Sequence, residues 1–408
     1  MLVAHPLTGS PPLPVPPLLL AAVAVFLAAV LVTRVRASGG AAVVARTEPA
    51  WLWVPRLLSA LVLLLLVVVA RVGPVDEPDN LAAVAVVHLV WPLLLVSAVL
   101  VGPLVWRAVD PWWALGAAER LAAPPGNPPG DTRGDPPGGP GPPAEAHAGP
   151  SVWPAVALGA GWALFLGWYA VSVPPRTLGI ALAAYTLVLV AGAVALGRAR
   201  WLARADAVGL VVTWTGLLRR GLIWWTPPAG AAVLLGAVFG GVAFARLRLG
   251  ATWGRVALSE SAALWNRGGA VAAVVAGGAL AYAAERWAVR RGAAGSVAVA
   301  LVPMVAATAV ATVLRRAMVA AQLVPRLATD PFDRGWRLLG PLGDGQAVDV
   351  NPWGTAVQQA LAYAVLLLGA LAAAWVVARR VRGVRARDPA AYTVYLTTFA
   401  AVVVATTR

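Results

Sequence analysis

Residues 56–72, RLLSALVLLLLVVVARV, run from one arginine almost to another with only Ser59 breaking an apolar series. The chain then turns through GPVDEPDN at 73–80, and a second apolar run, LAAVAVVHLVWPLLLVSAVLVGPLV, fills 81–105. At 1.5 Å per residue, runs of 17 to 25 residues reach across a hydrocarbon layer about 30 Å thick. Pro74 and Pro78 end the first run, and Asp76, Glu77 and Asp79 mark the turn as exposed to water. These two stretches decide the fold class: an all-α, polytopic transmembrane helix bundle.

The rest of the chain repeats the pattern. Further spans are expected at Pro16–Thr33, Trp153–Val173, Thr177–Gly197, Ala229–Ala245, Gly268–Ala284, Ser296–Leu314, Thr355–Ala378 and Ala390–Thr406, about ten in all. Ala207–Leu218 is apolar but short and flanked by arginines, which suits an interfacial or re-entrant helix. Ala122–Pro150 holds 10 Pro and 7 Gly, too little apolar surface to offset ordering, and reads as a disordered cytoplasmic linker. The expected organisation is a three-helix section at 1–121, the linker at 122–150 and a seven-helix section at 151–408.

Of 408 residues, 60% are hydrophobic and 12% charged, against roughly 25% charged in soluble domains. The basic residues are all arginine, a bias that points to a GC-rich bacterial genome. A net charge of +15 is compatible with nucleic-acid binding, but the arginines sit at the ends of apolar runs and form no single basic face, so no nucleic-acid partner is expected. Their densest run, Arg379 to Arg387, marks a cytoplasmic loop, as do Arg34, Arg36, Arg46 and Arg56. Both termini are then expected outside a bacterial plasma membrane, with Arg315–Pro352 an external loop. The uncharged start, Met1–Val15, lacks the basic region of a signal peptide, so the first helix is expected to stay.

There is no cysteine, which removes disulfides, thiolate metal sites and cysteine nucleophiles. The histidines are His5, His88 and His147, assigned to the outer face, the third span and the linker, and no metal or other cofactor is expected. His88 lies inside its span beside Trp91 and Pro92 with no partner in that span. It is either a packing residue or an intramembrane functional group. Asp110-Pro111-Trp112, Asp330-Pro331-Phe332 and Asn351-Pro352-Trp353 share an Asx cap, a proline at the first helical position and an interfacial aromatic. Their first reading is structural; the functional one is that Asp330, Asp333, Arg334 and Trp336 line an external binding site. Phosphate-binding glycine loops, HExxH helices and nucleophile elbows are absent.

The stretch Thr329-Asp330-Pro331-Phe332-Asp333-Arg334-Gly335-Trp336-Arg337-Leu338 resembles a motif of actinobacterial membrane proteins labelled fenitrothion hydrolase-like. Asn80-Leu81-Ala82, Trp106 to Trp112 and Pro175-Arg176-Thr177-Leu178 are similar to further parts of that pattern, and Ala4-His5 with Leu13-Pro14-Val15-Pro16 resembles its start. The resemblance implies a multi-pass bundle, a signal peptide ahead of His5, and hydrolysis of organophosphate esters. This chain departs from it where relatives carry histidines before the Asp-Pro-Phe motif, since Ser296–Pro325 has none, and where an aspartate is missing around Ala243-Phe244-Ala245-Arg246. A metal-assisted hydrolase needs such ligands. The expectation is therefore a non-catalytic or degenerate membrane subunit that meets the lipid bilayer and either a membrane-protein partner or a second copy of itself. A small-solute permease and an organophosphate hydrolase are the alternatives.

Overall fold

The computed structural model describes residues 50–116, 151–220, 225–250, 261–290, 298–340 and 354–381, with isolated positions such as Leu222, Trp253, Ser259 and Ser296 between them. The expected spans Pro16–Thr33 and Ala390–Thr406, the 122–150 linker, His5, His147 and Arg382–Arg387 lie outside the described residues. Among the described residues every regular element is helical.

Among the described residues, seven helices are long and apolar enough to cross a membrane: α1 (Trp53–Val72), α2 (Leu81–Val101), α6 (Pro175–Leu196), α9 (Ala231–Leu249), α10 (Ala262–Arg290), α11 (Ala298–Thr329) and α12 (Thr355–Val381). Short helices α3 (Leu104–Val109) and α4 (Pro111–Leu115) follow α2, and α7 (Arg198–Ala205) follows α6. Two shorter apolar helices are α5 (Trp153–Trp168) and α8 (Ala207–Gly216).

The helix starts are chemically specified. Asn80 accepts hydrogen bonds from the Ala82 and Ala83 N–H groups, and its side-chain amide donates to the carbonyls of Val69 and Pro74. One residue thus caps α2 and ties it to the end of α1. Asp110 caps α4 by accepting from Trp112 and Trp113 N–H, with Pro111 at the first helical position, so the Asx-Pro-aromatic pattern acts there as a cap.

α11 is the central helix, with 72% of its apolar window buried and an unbroken buried run from Ala298 to Ala311. By contrast α1, α10 and α12 bury 28%, 22% and 28%, and turn Leu57, Leu58, Leu61, Leu264, Val275, Leu280, Leu367 and Leu368 outward. An apolar exterior on that scale fits lipid as the solvent. Glycine makes the seam between α9 and α10: a Cβ at Gly236 would run into the Gly277 carbonyl, one at Gly277 into Gly236, and one at Gly240 into Ala273.

Several expected boundaries change. The third span stops at Val101, not Val105, because Gly102 adopts φ +102 and Pro103 has no N–H to continue the ladder. Helix α5 stops at Trp168, five residues short of Val173. The expected external loop Arg315–Pro352 is helical to Thr329. The Arg316 guanidinium sits among protein acceptors, donating to the carbonyls of Ala170 and Val171, so its charge does not end the helix.

α8 starts beside Tyr185 and Trp106 and ends against Gly102 and Pro103, while Arg219 donates to the Val101 carbonyl. The chain then begins α9 next to Val152, whose N–H donates to Ala229. Both flanks of α8 therefore lie at one end of the bundle, the end that holds Asp110; Glu77 marks the opposite end.

Candidate functional site

The turn before α2 forms a 3-10 helix, Glu77–Asp79, and α2 itself opens as α-helix and widens into a π-helical segment, Val84–Val90. π turns are rare and concentrate at functional positions, because they push one residue out of the regular ladder. His88 sits in this segment. It is 7% exposed, and its Nε2 lies 2.7 Å from Glu77 Oε1.

Glu77 is held from three sides. Its Oε1 meets His88, its Oε2 accepts from the Val173 N–H at 2.9 Å, and Ser172 hydrogen-bonds to the same carboxyl. Burial pushes its pKa upward, but the bonds to His88, Ser172 and Val173 outweigh it and hold the group below the usual carboxylate value. As a carboxylate it only accepts, so His88 Nε2 carries the shared proton and Nδ1 is the ring nitrogen that remains. That Nδ1 is buried and has no hydrogen-bond partner; the Trp91 Nε1 one turn on is in the same condition.

His88 and Trp91 line a cavity of about 50 Å³ between α2, α5, α9 and α11. Its other walls include Trp162 and Leu166 from α5, Tyr169 and Ala170 after it, Val242 and Leu249 from α9, and Thr312, Val313 and Arg316 from α11. At roughly 10–15 Å³ per water position the space takes about three or four waters. The Thr312 hydroxyl donates back to the Thr308 carbonyl, and Arg316 is fastened by Nη1 to Ala170 and by Nη2 to Val171. The cavity is thus mostly apolar, with an imidazole, a guanidinium, a hydroxyl and an indole among its walls.

No protein-family model, curated protein or solved structure matches this chain. Its site is read from geometry.

The Asp330 cluster forms a self-contained turn. Asp330 accepts from the Arg334 N–H at 2.9 Å and the Gly335 N–H at 2.6 Å, and these backbone bonds hold its carboxyl below the ordinary value. Asp333 takes φ +53, a left-handed conformation that aspartate tolerates better than most residues. Phe332 and Trp336 meet edge to face at 5.6 Å, with Arg334 6.0 Å from each ring. None of Asp330, Asp333, Arg334 and Trp336 lines the His88 cavity. Ser259 and Ser261, a polar cluster in the sequence, are exposed and bond locally.

Sequence reasoning left His88 without a partner and missed Glu77, Thr312 and Arg316. The signal was present: Glu77 lies 11 residues before His88, in a turn read only as an acidic marker.

A second buried polar group lies at the opposite end. Asp206 caps α8 through the Gly209 N–H, and accepts from Trp106 Nε1 at 3.0 Å and from the Tyr185 hydroxyl at 3.3 Å. Burial drives its pKa well up, and the charge of Asp110 adds to that; burial likewise pushes Asp110 up to about 6 against the pull of its backbone bonds and of Arg56 and Arg198. Among the described residues no three His, Asp or Glu side chains converge as a metal-binding group.

Proposed function

We propose that this chain is a non-catalytic permease: a multi-pass protein of the bacterial plasma membrane that admits a small polar solute at the Glu77 end, through the His88 cavity. The count of about ten spans adds Pro16–Thr33, α5 and Ala390–Thr406 to the seven long helices, and both termini are placed outside. In this reading the chain is a degenerate member of the fenitrothion hydrolase-like group, and its standing partner is the lipid bilayer.

One observation carries the reading. His88, bonded to Glu77 of the preceding turn, stands on a π turn beside a cavity between four helices. Ionisable side chains inside a membrane bundle are expensive and mark solute or ion pathways. An irregular helix at such a place is tolerated because it lines a cavity. Ester hydrolysis assisted by a metal calls for about three protein ligands, whereas this cavity offers His88, whose Nε2 is already bonded to Glu77.

A permease must present its cavity to both faces of the membrane in turn. With no natural cysteine to interfere, Thr312→Cys offers a direct probe. The reading expects an impermeant methanethiosulfonate reagent to modify Thr312→Cys both in intact cells and in inverted vesicles. Modification from one face only, or from neither, would defeat it.

A further inference from the structure

The size and polar groups of the cavity indicate what it takes. Space for about three or four waters is also space for three or four non-hydrogen atoms, the size of formate or acetate. Arg316 uses two of its five N–H donors on Ala170 and Val171, which leaves it donors for a carboxylate. His88 contributes a buried Nδ1 without a hydrogen-bond partner, while its Nε2 is bonded to Glu77.

We propose that the cavity binds a small monocarboxylic acid, whose carboxylate is held between Arg316 and His88 while one proton occupies His88 Nδ1. The proposal rests on the permease reading and names its substrate class. The step balances without a further reactant: the acid's O–H bond breaks, an N–H bond forms at Nδ1, and a carboxylate stands against an imidazolium. Entering as an anion, the same ligand takes one proton from solution. In the imidazolium, Nε2–H still donates to Glu77.

The other charged or titratable groups near His88 are accounted for by element. Arg316 faces it from α11 and Tyr169 from the segment after α5. On α9, Arg246 donates to Ala311, and Arg248 to Gly167 and Trp168. His88 is therefore the group at this cavity whose protonation can follow the ligand.

The test is calorimetry of sodium acetate with the full chain in nanodiscs, in buffers of different ionisation heat. The expected result is uptake of about one proton per acetate bound, with affinity rising as the pH is lowered. His88→Gln should abolish the proton uptake and weaken binding at least roughly tenfold, while Thr312→Cys in that background stays modifiable and so reports an intact cavity. Acetate binding without proton uptake, or uptake unchanged in His88→Gln, would overturn the proposal. Protection of Thr312→Cys by glycerol but not acetate would also overturn it, and would leave the permease reading standing; loss of two-sided modification would remove both.

Discussion

Nε2 of His88 and Oε1 of Glu77 lie 2.7 Å apart, joining the π segment of α2 to the acidic turn that precedes it. Nothing in a hydropathy profile pairs these residues, since one belongs to an apolar run and the other to a hydrated turn. The Asn80 cap brings them together by folding the turn back over the first turns of α2.

The first prediction concerns that pair. Glu77 has a folded pKa below its ordinary 4.5, so its stabilising contribution is fully present above 4.5 and is lost as the pH falls through the depressed value. Glu77→Gln should lower stability at pH 7 by about 1–3 kcal/mol, the scale of a hydrogen bond to a charged group. The variant and the parent should converge under acid conditions. Intrinsic fluorescence of the 19 tryptophans, followed through thermal unfolding in detergent, reads both. A deficit that persists unchanged well below pH 4 would show that the ionised carboxylate is not the source.

Asp110 and Asp206 predict the opposite slope. Their folded pKa values lie above 3.8, so the folded protein holds more protons than the unfolded one, and stability falls as the pH rises above about 4, for Asp110 through about 6. For Asp110 the move from 3.8 to about 6 corresponds to roughly 3 kcal/mol. Asp206→Asn keeps the Oδ1 acceptor for Gly209 and Tyr185, turns an amide N–H2 toward Trp106 Nε1 and cannot ionise. It should match or exceed the parent at pH 8, whereas Asp206→Leu, which leaves those donors unpaired, should lose about 2–4 kcal/mol. Equal losses in the two variants at pH 8 would reject the charge argument.

A third test separates glycines that permit close approach from those that do not. A Cβ at Gly240 meets the backbone of Ala273 across the α9–α10 seam, so Gly240→Ala should destabilise by about 1–3 kcal/mol. Gly268 sits within α10 with open space around it, and Gly268→Ala should gain about 0.5–1 kcal/mol from helix propensity. Melting temperatures of the two variants should move in opposite directions.

The helices were legible in the sequence because lipid imposes length and apolarity on every span. Six of the seven long helices begin within about six residues of where the apolar runs placed them, and α11 within two. What hydropathy misjudged were ends fixed by specific contacts: the far end of α11, where protein carbonyls receive Arg316, and the break at Gly102-Pro103. The three aspartate or asparagine caps differ in the same way. Asp110-Pro111-Trp112 was recognisable as a cap, while Asp206, with the same role at α8, has no proline or aromatic beside it to announce it. The cavity was partly visible through His88. Its other polar walls come from α11, more than two hundred residues along the chain, and no local pattern links them.

The last prediction is topology. The geometry of α8 matters most, because a crossing at Ala207–Leu218 would invert every later segment. Both its flanks lie at the Asp110 end: Arg198 donates to the Trp113 carbonyl before it, and Val152 bonds to Ala229 after it. With α5 counted among them, successive crossing helices therefore alternate in direction, and Trp53, Leu196 and Ala231 share one end while Val72, Leu81, Pro175 and Leu249 share the other. By helix count α12 ends with the first group, and the arginine run that follows it in the sequence predicts the cytoplasm for that end. Asp76 and Arg200 are exposed residues at the two ends. Asp76→Cys should react with an impermeant thiol reagent in intact cells, and Arg200→Cys should react only after the membrane is opened. The reverse pattern would keep the bundle and turn it over in the membrane. Reaction of both in intact cells would mean that the two ends share a face, which no alternating arrangement of these helices allows.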